Sequence, residues 1–343
     1  MTLVRSLLIF LSGCLLWGCA PHAVPVEKMT EESRLTDTAF ITFDGSELPL
    51  RTWLPPEPPQ AVLIALHGYN DYSNFIKDAA AWFNERGIGV YAYDQRCFGA
   101  APHRGKWSGQ EAMAEDLRTI IALVRQRHPG VPLFLLGDSM GGAVIMAADS
   151  AENPLPAEGV ILVAPAVWAR PTMPFYQRWT LWLAVRIMPW LRVTSKGIDI
   201  TPSDNKEMLK ALGRDPLVIK ESRIDAIYGL VNLMDTAYEA ASRFNSKVLF
   251  LYGARDEIIP PKPMADVFRK RVHGQFSNPQ RLLVYENGYH MLLRDLQAEV
   301  VWQDILCWLT SPAGVFPSVR QKAAAEITSE ADIEAYVRPA PGK

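Results

Sequence analysis

Cysteine is scarce. The 343 residues hold four, and two of these, Cys14 and Cys19, fall in an apolar leader, leaving Cys97 and Cys307 in the body. A disulfide scaffold is thereby excluded. Dense runs of Lys and Arg are missing, and 35 basic against 37 acidic residues leave a net charge of -2, so nucleic acid is not an expected partner. No H-E-x-x-H, paired-cysteine spacing or acidic loop marks a metal, and no glycine-rich loop marks a nucleotide, so no cofactor is expected. The apolar stretch from Leu7 to Trp17 is too short to span a bilayer. What remains is 49% hydrophobic, 21% charged and 10% aromatic residues, the composition of a packed globular chain, with length for one large domain or two small ones.

The leader carries one basic residue, Arg5, then the apolar stretch, then Gly18-Cys19-Ala20-Pro21, the layout of an export signal. Leu16-Trp17-Gly18-Cys19 resembles a bacterial lipobox, whose cysteine is acylated and becomes the mature N-terminus. Leu11-Ser12-Gly13-Cys14 matches that pattern letter by letter, but a cut there would leave a very short apolar segment. Residues 1–18 are therefore expected to be a lipoprotein-type signal. Cys19 is the expected attachment site, with Cys14 the alternative, and the protein is expected in the bacterial envelope, lipid-anchored to a membrane, outer rather than inner. Residues 19–37 read as a tether, and residues 311–343 as a tail with at most one short helix.

Between them, strand-like runs alternate with helical patterns. Thr38–Phe43 and Leu48–Leu54 flank Asp44-Gly45, a hairpin turn signal. Ala61–Leu66, Gly89–Tyr93, Leu133–Leu136, Val160–Ala164, Val248–Tyr252 and Leu282–Tyr285 are short apolar runs of the kind buried on both faces of a parallel sheet. Phe75–Arg86, Gln110–Arg127, Met140–Ala148, Lys262–Val272 and Leu296–Leu309 read as helices, so the body at 38–310 is a doubly wound α/β unit. From about 167 to 244 no core strand appears, and the stretch is rich in Trp, Met, Pro and Arg. It reads as an inserted helical cap. Phe175, Tyr176, Trp179, Trp182 and Trp190 lie there, either as an apolar lid that receives an acyl chain or rests on the lipid of a membrane, or as helices packed on their own domain.

Gly137-Asp138-Ser139-Met140-Gly141 directly follows a strand and directly precedes a helix, the setting in which G-x-S-x-G is a nucleophile elbow. A serine hydroxyl needs a tight, exposed turn beside a base, and flanking glycines admit that turn. The partners of such a serine follow in the order acid, then histidine. Of the six histidines only His273 and His290 come after Ser139. His290 follows the last strand, whereas His273 ends a polar helix, so His290 is the expected base. Asp256 follows the penultimate strand as the expected acid, with Glu257 the competitor. The oxyanion hole is expected from the N–H groups of Met140 and Tyr69, the latter in the loop His67-Gly68-Tyr69.

These motifs, with Tyr93-Asp94-Gln95-Arg96 and Gly288-Tyr289-His290, resemble the monoacylglycerol lipase and lysophospholipase branch of the α/β-hydrolases, also called serine aminopeptidase-like. The likeness runs from about Thr38 to Thr310. It implies a mostly parallel eight-stranded sheet flanked by helices with an inserted cap, a Ser139, Asp256, His290 triad, and hydrolysis of lipid esters such as monoacylglycerol or lysophospholipid. Peptide or amide hydrolysis, acyl transfer, and a non-catalytic binding role are the alternatives. Two departures stand out. Asn70, Asp71 and Tyr72 replace the usual Gly, Glu and His, and after Asp94 the stretch Gln95-Arg96-Cys97-Phe98-Gly99 is one residue longer before its glycine.

Overall fold

The computed structural model describes residues 23–26, 32–149, 153–194, 197, 199–243, 246–272, 280–329 and 331–333. Cys14, Cys19 and His273 lie outside the described residues, as do the signal segment and most of the tether. The chain runs through β1 (Arg34–Leu35), β2 (Ala39–Ile41), β3 (Glu47–Trp53), β4 (Ala61–Leu66), α1 (Lys77–Asn84), β5 (Ile88–Tyr93), α2 (Gln110–Arg127), β6 (Leu133–Asp138), α3 (Met140–Ala148) and β7 (Gly159–Val163). Then come α4 (Phe175–Ile187), β8 (Arg192–Val193), α5 (Lys206–Arg214), β9 (Ser222–Arg223) and α6 (Ile224–Ala240). β10 (Val248–Gly253), α7 (Pro261–Val272), β11 (Gln280–Tyr285), α8 (Ala298–Thr310), α9 (Pro317–Arg320) and β12 (Ala324–Ile327) follow.

The sheet order is β1-β2-β3-β5-β4-β6-β7-β10-β11-β12. Every ladder from β5 to β11 is parallel, while β1, β2, β3 and β12 join antiparallel. The strands β4, β5, β6, β7 and β10 are buried at every position, which is why they read as unbroken apolar runs rather than as alternations. Alternate residues still sort by face. Val62, Ile64 and Leu66 pack with α2, α3, α6 and α7, and Ala61, Leu63 and Ala65 pack with α1 and α8.

Three expectations need correction. The sheet has ten strands among the described residues, not eight. Both additions come from segments read as tether and tail: β1 pairs with β2, and β12 pairs with β11 at Leu282↔Ile327. The residues Ala324 to Ile327 have no strong strand pattern of their own, so only the open edge of β11 makes them a strand. The supposed tail is tied down further. Phe316 is fully buried, Arg281 stacks over its ring at 4.0 Å, and the same guanidinium grips Glu326 at 2.6 and 2.9 Å. Finally, the cap ends near Arg223 rather than at 244, because α6 buries Ala226, Leu233, Met234 and Ala237 in the body beside α3.

A buried ionic cluster ties the start of the sheet together. Arg96 forks onto Asp116 of α2 at 2.6 and 2.8 Å and onto Asp44 of the β2–β3 turn at 2.7 and 2.9 Å. Burial, with Arg96 hydrogen bonds opposing it, leaves Asp116 at about 7, whereas the same guanidinium holds Asp44 well below the ordinary carboxylate range. Removing the cation strands two buried acids, a loss of about 3–5 kcal/mol. Arg96→Met is therefore expected to lower the unfolding free energy measured by urea titration by an amount of that order; a loss under about 1 kcal/mol would show that the cluster behaves as an exposed pair.

Candidate active site

The elbow is built where β6 meets α3. Ser139 lies at φ 48° and ψ −109°, a left-handed backbone that costs a non-glycine residue about 1–3 kcal/mol. Neighbouring backbone holds it there: the Ser139 N–H donates to the Val163 carbonyl at 2.9 Å, and the Ser139 carbonyl accepts from Ala166 N–H at 2.9 Å. The motif's glycines answer to close approach. A Cβ on Gly137 would run into the backbone of Gly141 and Gly142, and one on Gly141 into the Leu66 carbonyl. Met140 is the first residue of α3, so its N–H has no carbonyl within the helix to bond. Beside it stands the loop after β4, where the Cβ position of Gly68 lies 3.4 Å from Ser139 Cβ. Tyr69 follows, half-buried, its ring edge-on to Phe98 at 5.5 Å.

Asp256 and His290 meet across the loops after β10 and β11. His290 Nδ1 and Asp256 Oδ2 are 2.8 Å apart, and the two side chains are 7% and 0% exposed. The other carboxylate oxygen accepts from Ile258 and Ile259 N–H at 2.8 and 2.9 Å. Donors on both sides fix the carboxylate, and its acceptor oxygen calls for a proton on Nδ1, which leaves Nε2 as the basic nitrogen. Burial alone would lower the imidazole, but the charge and hydrogen bond of Asp256 outweigh it, so His290 sits above its ordinary value. The two loops are zipped by backbone bonds, Ala254 N–H to Tyr285 O and Arg255 N–H to Gly288 O, each 2.9 Å. Glu257 points elsewhere and accepts from Thr201 N–H at 2.6 Å.

Several residues for which the sequence suggests no role of their own shape the site. His67 is completely buried, and burial lowers it. Its Nε2 accepts from Gln95 N–H at 2.9 Å, so the proton is on Nδ1, which donates to Gly68 O at 2.8 Å. A neutral imidazole thus braces the loop after β4. Asp71 pairs with Arg294 at 2.7 Å, joining that loop to the histidine loop. The two departures from the family pattern also become intelligible. Asn70 at φ 66° and Cys97 at φ 71° occupy left-handed positions, and asparagine tolerates that region better than most residues. Asn70 Nδ2 donates to Ser222 Oγ at 2.7 Å and Tyr72 Oη to Asp215 at 2.7 Å, so this loop is stitched to the cap. Cys97 is buried and Cys307 half-buried, and both are free.

Asp138, between the elbow glycine and Ser139, is buried, and burial lifts its carboxyl to about 6 against the pull of Arg294 and His290. A carboxyl raised on folding is most compatible with the folded state when protonated. Its stabilisation is complete below about 3.8, is lost as pH rises to about 6 and stays lost above, roughly 3 kcal/mol in all. Asp138→Asn escapes that loss. Unfolding at pH 4, 6 and 8 is expected to show the variant gaining on the native protein between the first two values and holding the gain at the third; a gap independent of pH would refute the raised carboxyl.

Comparison with known proteins adds an independent line. The family described as serine aminopeptidase, S33 (Hydrolase_4) matches residues 57–297. A monoacylglycerol lipase of Mycolicibacterium smegmatis is 25% identical over 282 residues, 81% of this chain and 98% of the relative. The human monoglyceride lipase is 25% identical over 307 residues, 84% of this chain and 93% of the relative. Among solved structures, the Paleococcus ferrophilus monoacylglycerol lipase superposes with TM-score 0.65 at 25% identity, covering 77% of this chain and 99% of its own. A soluble variant of the Saccharomyces cerevisiae monoglyceride lipase, in complex with a substrate analogue, shares the fold at TM-score 0.67 and 20% identity, over 85% of this chain and all of the other (100%).

Proposed function

The chain belongs to the serine aminopeptidase S33 family of α/β-hydrolases, and on that footing we propose that it is a serine hydrolase of carboxylic esters whose substrates are monoacylglycerols, lysophospholipids or related lipid esters. The observation that carries the reading is the buried 2.8 Å pair between Asp256 and His290 in the same molecule as a strained Ser139 elbow. His290 Nε2 takes the proton of Ser139 Oγ as the oxygen attacks the ester carbonyl. The N–H groups of Met140 and Tyr69 receive the negative charge that develops on the carbonyl oxygen. Protonated His290 then gives its proton to the departing alcohol, leaving Ser139 acylated. Water, deprotonated by the same imidazole, releases the fatty acid and restores the serine.

The lipid-ester part of the reading draws support from the relatives, named as monoacylglycerol and monoglyceride lipases, and from the apolar hollow on the cap edged by Trp179, Leu181 and Trp182. Among the described residues no helix is long and apolar enough to cross a membrane. Membrane attachment therefore rests on the lipobox-like leader, with acylation at Cys19 and residence in the bacterial envelope, at the outer membrane.

Ser139→Ala is expected to abolish p-nitrophenyl ester turnover and fluorophosphonate labelling while leaving the melting temperature unchanged; an active variant would remove the assignment. Asp256→Asn is expected to cut kcat by about 10⁴. Because Asp256 holds His290 above its ordinary value, the acid limb of kcat/KM lies above about 6.5 and should move down in that variant. A limb that stays in place would show that another group titrates.

A further inference from the structure

Between β8 and α5 the cap sends an irregular segment, residues 201–205, back to the body. Thr201 N–H donates to Glu257 at 2.6 Å, next in the chain to Asp256. The Pro202 carbonyl accepts from Met291 N–H at 3.0 Å. Ser203 Oγ donates to Asp295 Oδ1 at 2.6 Å, Asp204 Oδ1 accepts from Leu296 N–H at 2.8 Å, and Asn205 Nδ2 donates to the Arg294 carbonyl at 3.0 Å. Connecting segments ordinarily run over the surface and are mobile. Here five consecutive residues of the cap are each bonded to the loops that carry Asp256 and His290, like a splint.

The bonds converge on His290. Met291 N–H, on one side of it, is held by the cap directly through Pro202. Tyr289 N–H, on the other side, donates to Asp295 Oδ2 at 2.8 Å, and the opposite oxygen of the same carboxylate receives Ser203. Both side chains of this relay are buried, Ser203 at 1% and Asp295 at 3% exposure. Ser203 Oγ also accepts from Asn205 N–H at 3.1 Å, which turns its single proton toward Asp295. Burial lifts Asp295 to about 6 against the hydrogen bonds of Ser203 and Tyr289, so at pH 8 it is an anion with a donor on each oxygen. Charge-assisted bonds of this kind are short and strong. Asp256 aligns the ring of His290 through Nδ1, while the peptide groups on either side of that ring are placed from the cap.

We infer that Ser203 and Asp295 are positioning residues for the ester chemistry: the relay from Ser203 through Asp295 to Tyr289 N–H sets His290 opposite Ser139, so the imidazole is aligned only while the base of the cap is seated. The inference rests on the Ser139, Asp256, His290 triad proposed above. Fluorophosphonate labelling of the native protein, absent from Ser139→Ala, tests that premise separately, and an unlabelled native protein removes the triad and the inference together. At pH 8, Ser203→Ala and Asp295→Ala are expected to lower kcat for a p-nitrophenyl ester by between about tenfold and about 100-fold, the cost of a small misplacement, with KM within about threefold of native. Asp295→Asn keeps an acceptor for Tyr289 N–H and offers a donor to Ser203 Oγ, and it is expected to recover most of the lost kcat. Should Asp295→Ala fail to fold, Ser203→Ala carries the comparison with Asp295→Asn. Alanine variants that melt earlier yet keep kcat within about twofold of native would reduce the relay to a structural support and overturn the inference. An Asp295→Asn variant as slow as Ser203→Ala would overturn it too, since charge and not placement would then be acting on His290.

Discussion

The architecture depends on one backbone constraint: a serine at φ 48° and ψ −109° between a buried strand and a buried helix. Left alone, that residue would relax to an ordinary turn, because the left-handed region is unfavourable for any side chain with a Cβ. It is kept in place by the parallel strands around it. The Val163 carbonyl at the end of β7 and the Ala166 N–H just beyond it clasp the peptide groups of Ser139, while Leu66 at the end of β4 comes close enough that Gly141 has no room for a side chain. The central strands β4, β6 and β7 therefore have to be adjacent and in register before the Ser139 turn can exist. The rest of the body, ten sheet strands among the described residues clad by helices on both faces, gives that register its rigidity.

Charge does at the loops what glycine does at the elbow. The loops around the candidate site come from distant parts of the chain, and each junction carries an ion pair or a charge-assisted bond. Asp71 with Arg294 joins the loop after β4 to the loop after β11, Asp256 with His290 joins the loops after β10 and β11, and Arg96 with Asp44 and Asp116 anchors the loop after β5. Within the buried surroundings the carboxylates are pushed apart in character. Asp44 is held low by Arg96, while Asp116 and Asp138 are raised by burial. Such separation by environment allows acidic side chains close together to stay compatible with folding near neutral pH.

The cap follows a different physics from the body. Its helix α4 buries Val185 and leaves most of its apolar side chains to solvent, whereas α6, which comes after β8, α5 and β9, is pinned against the core through Leu233, Met234 and Ala237. The boundary between them is a short antiparallel pairing, Arg192↔Arg223 and Val193↔Ser222. One segment is shaped to complete a protein core and the next to meet something apolar outside it. Both were read from the sequence as a single cap, since the two are alike in hydrophobic content and neither contains a core strand.

Much of this protein was legible in its sequence. The buried parallel strands announced themselves as short apolar runs because both of their faces are covered, and Gly137-Asp138-Ser139-Met140-Gly141 marked the elbow because few sequences satisfy a strand, a left-handed turn and a helix within so few residues. Asp256 and His290 followed from their places after β10 and β11. What the sequence could not express is anything that depends on a partner far along the chain. Ala324–Ile327 is a strand only because the edge of β11 is open, α6 belongs to the body only because α3 lies beneath it, and Asp138 is an unusual acid only because folding buries it beside His290 and Asp256. Local propensity and motif spacing are properties of neighbouring residues, so they were present from the start; burial, edge pairing and charge environment are properties of proximity in space, and the tertiary structure alone decided them.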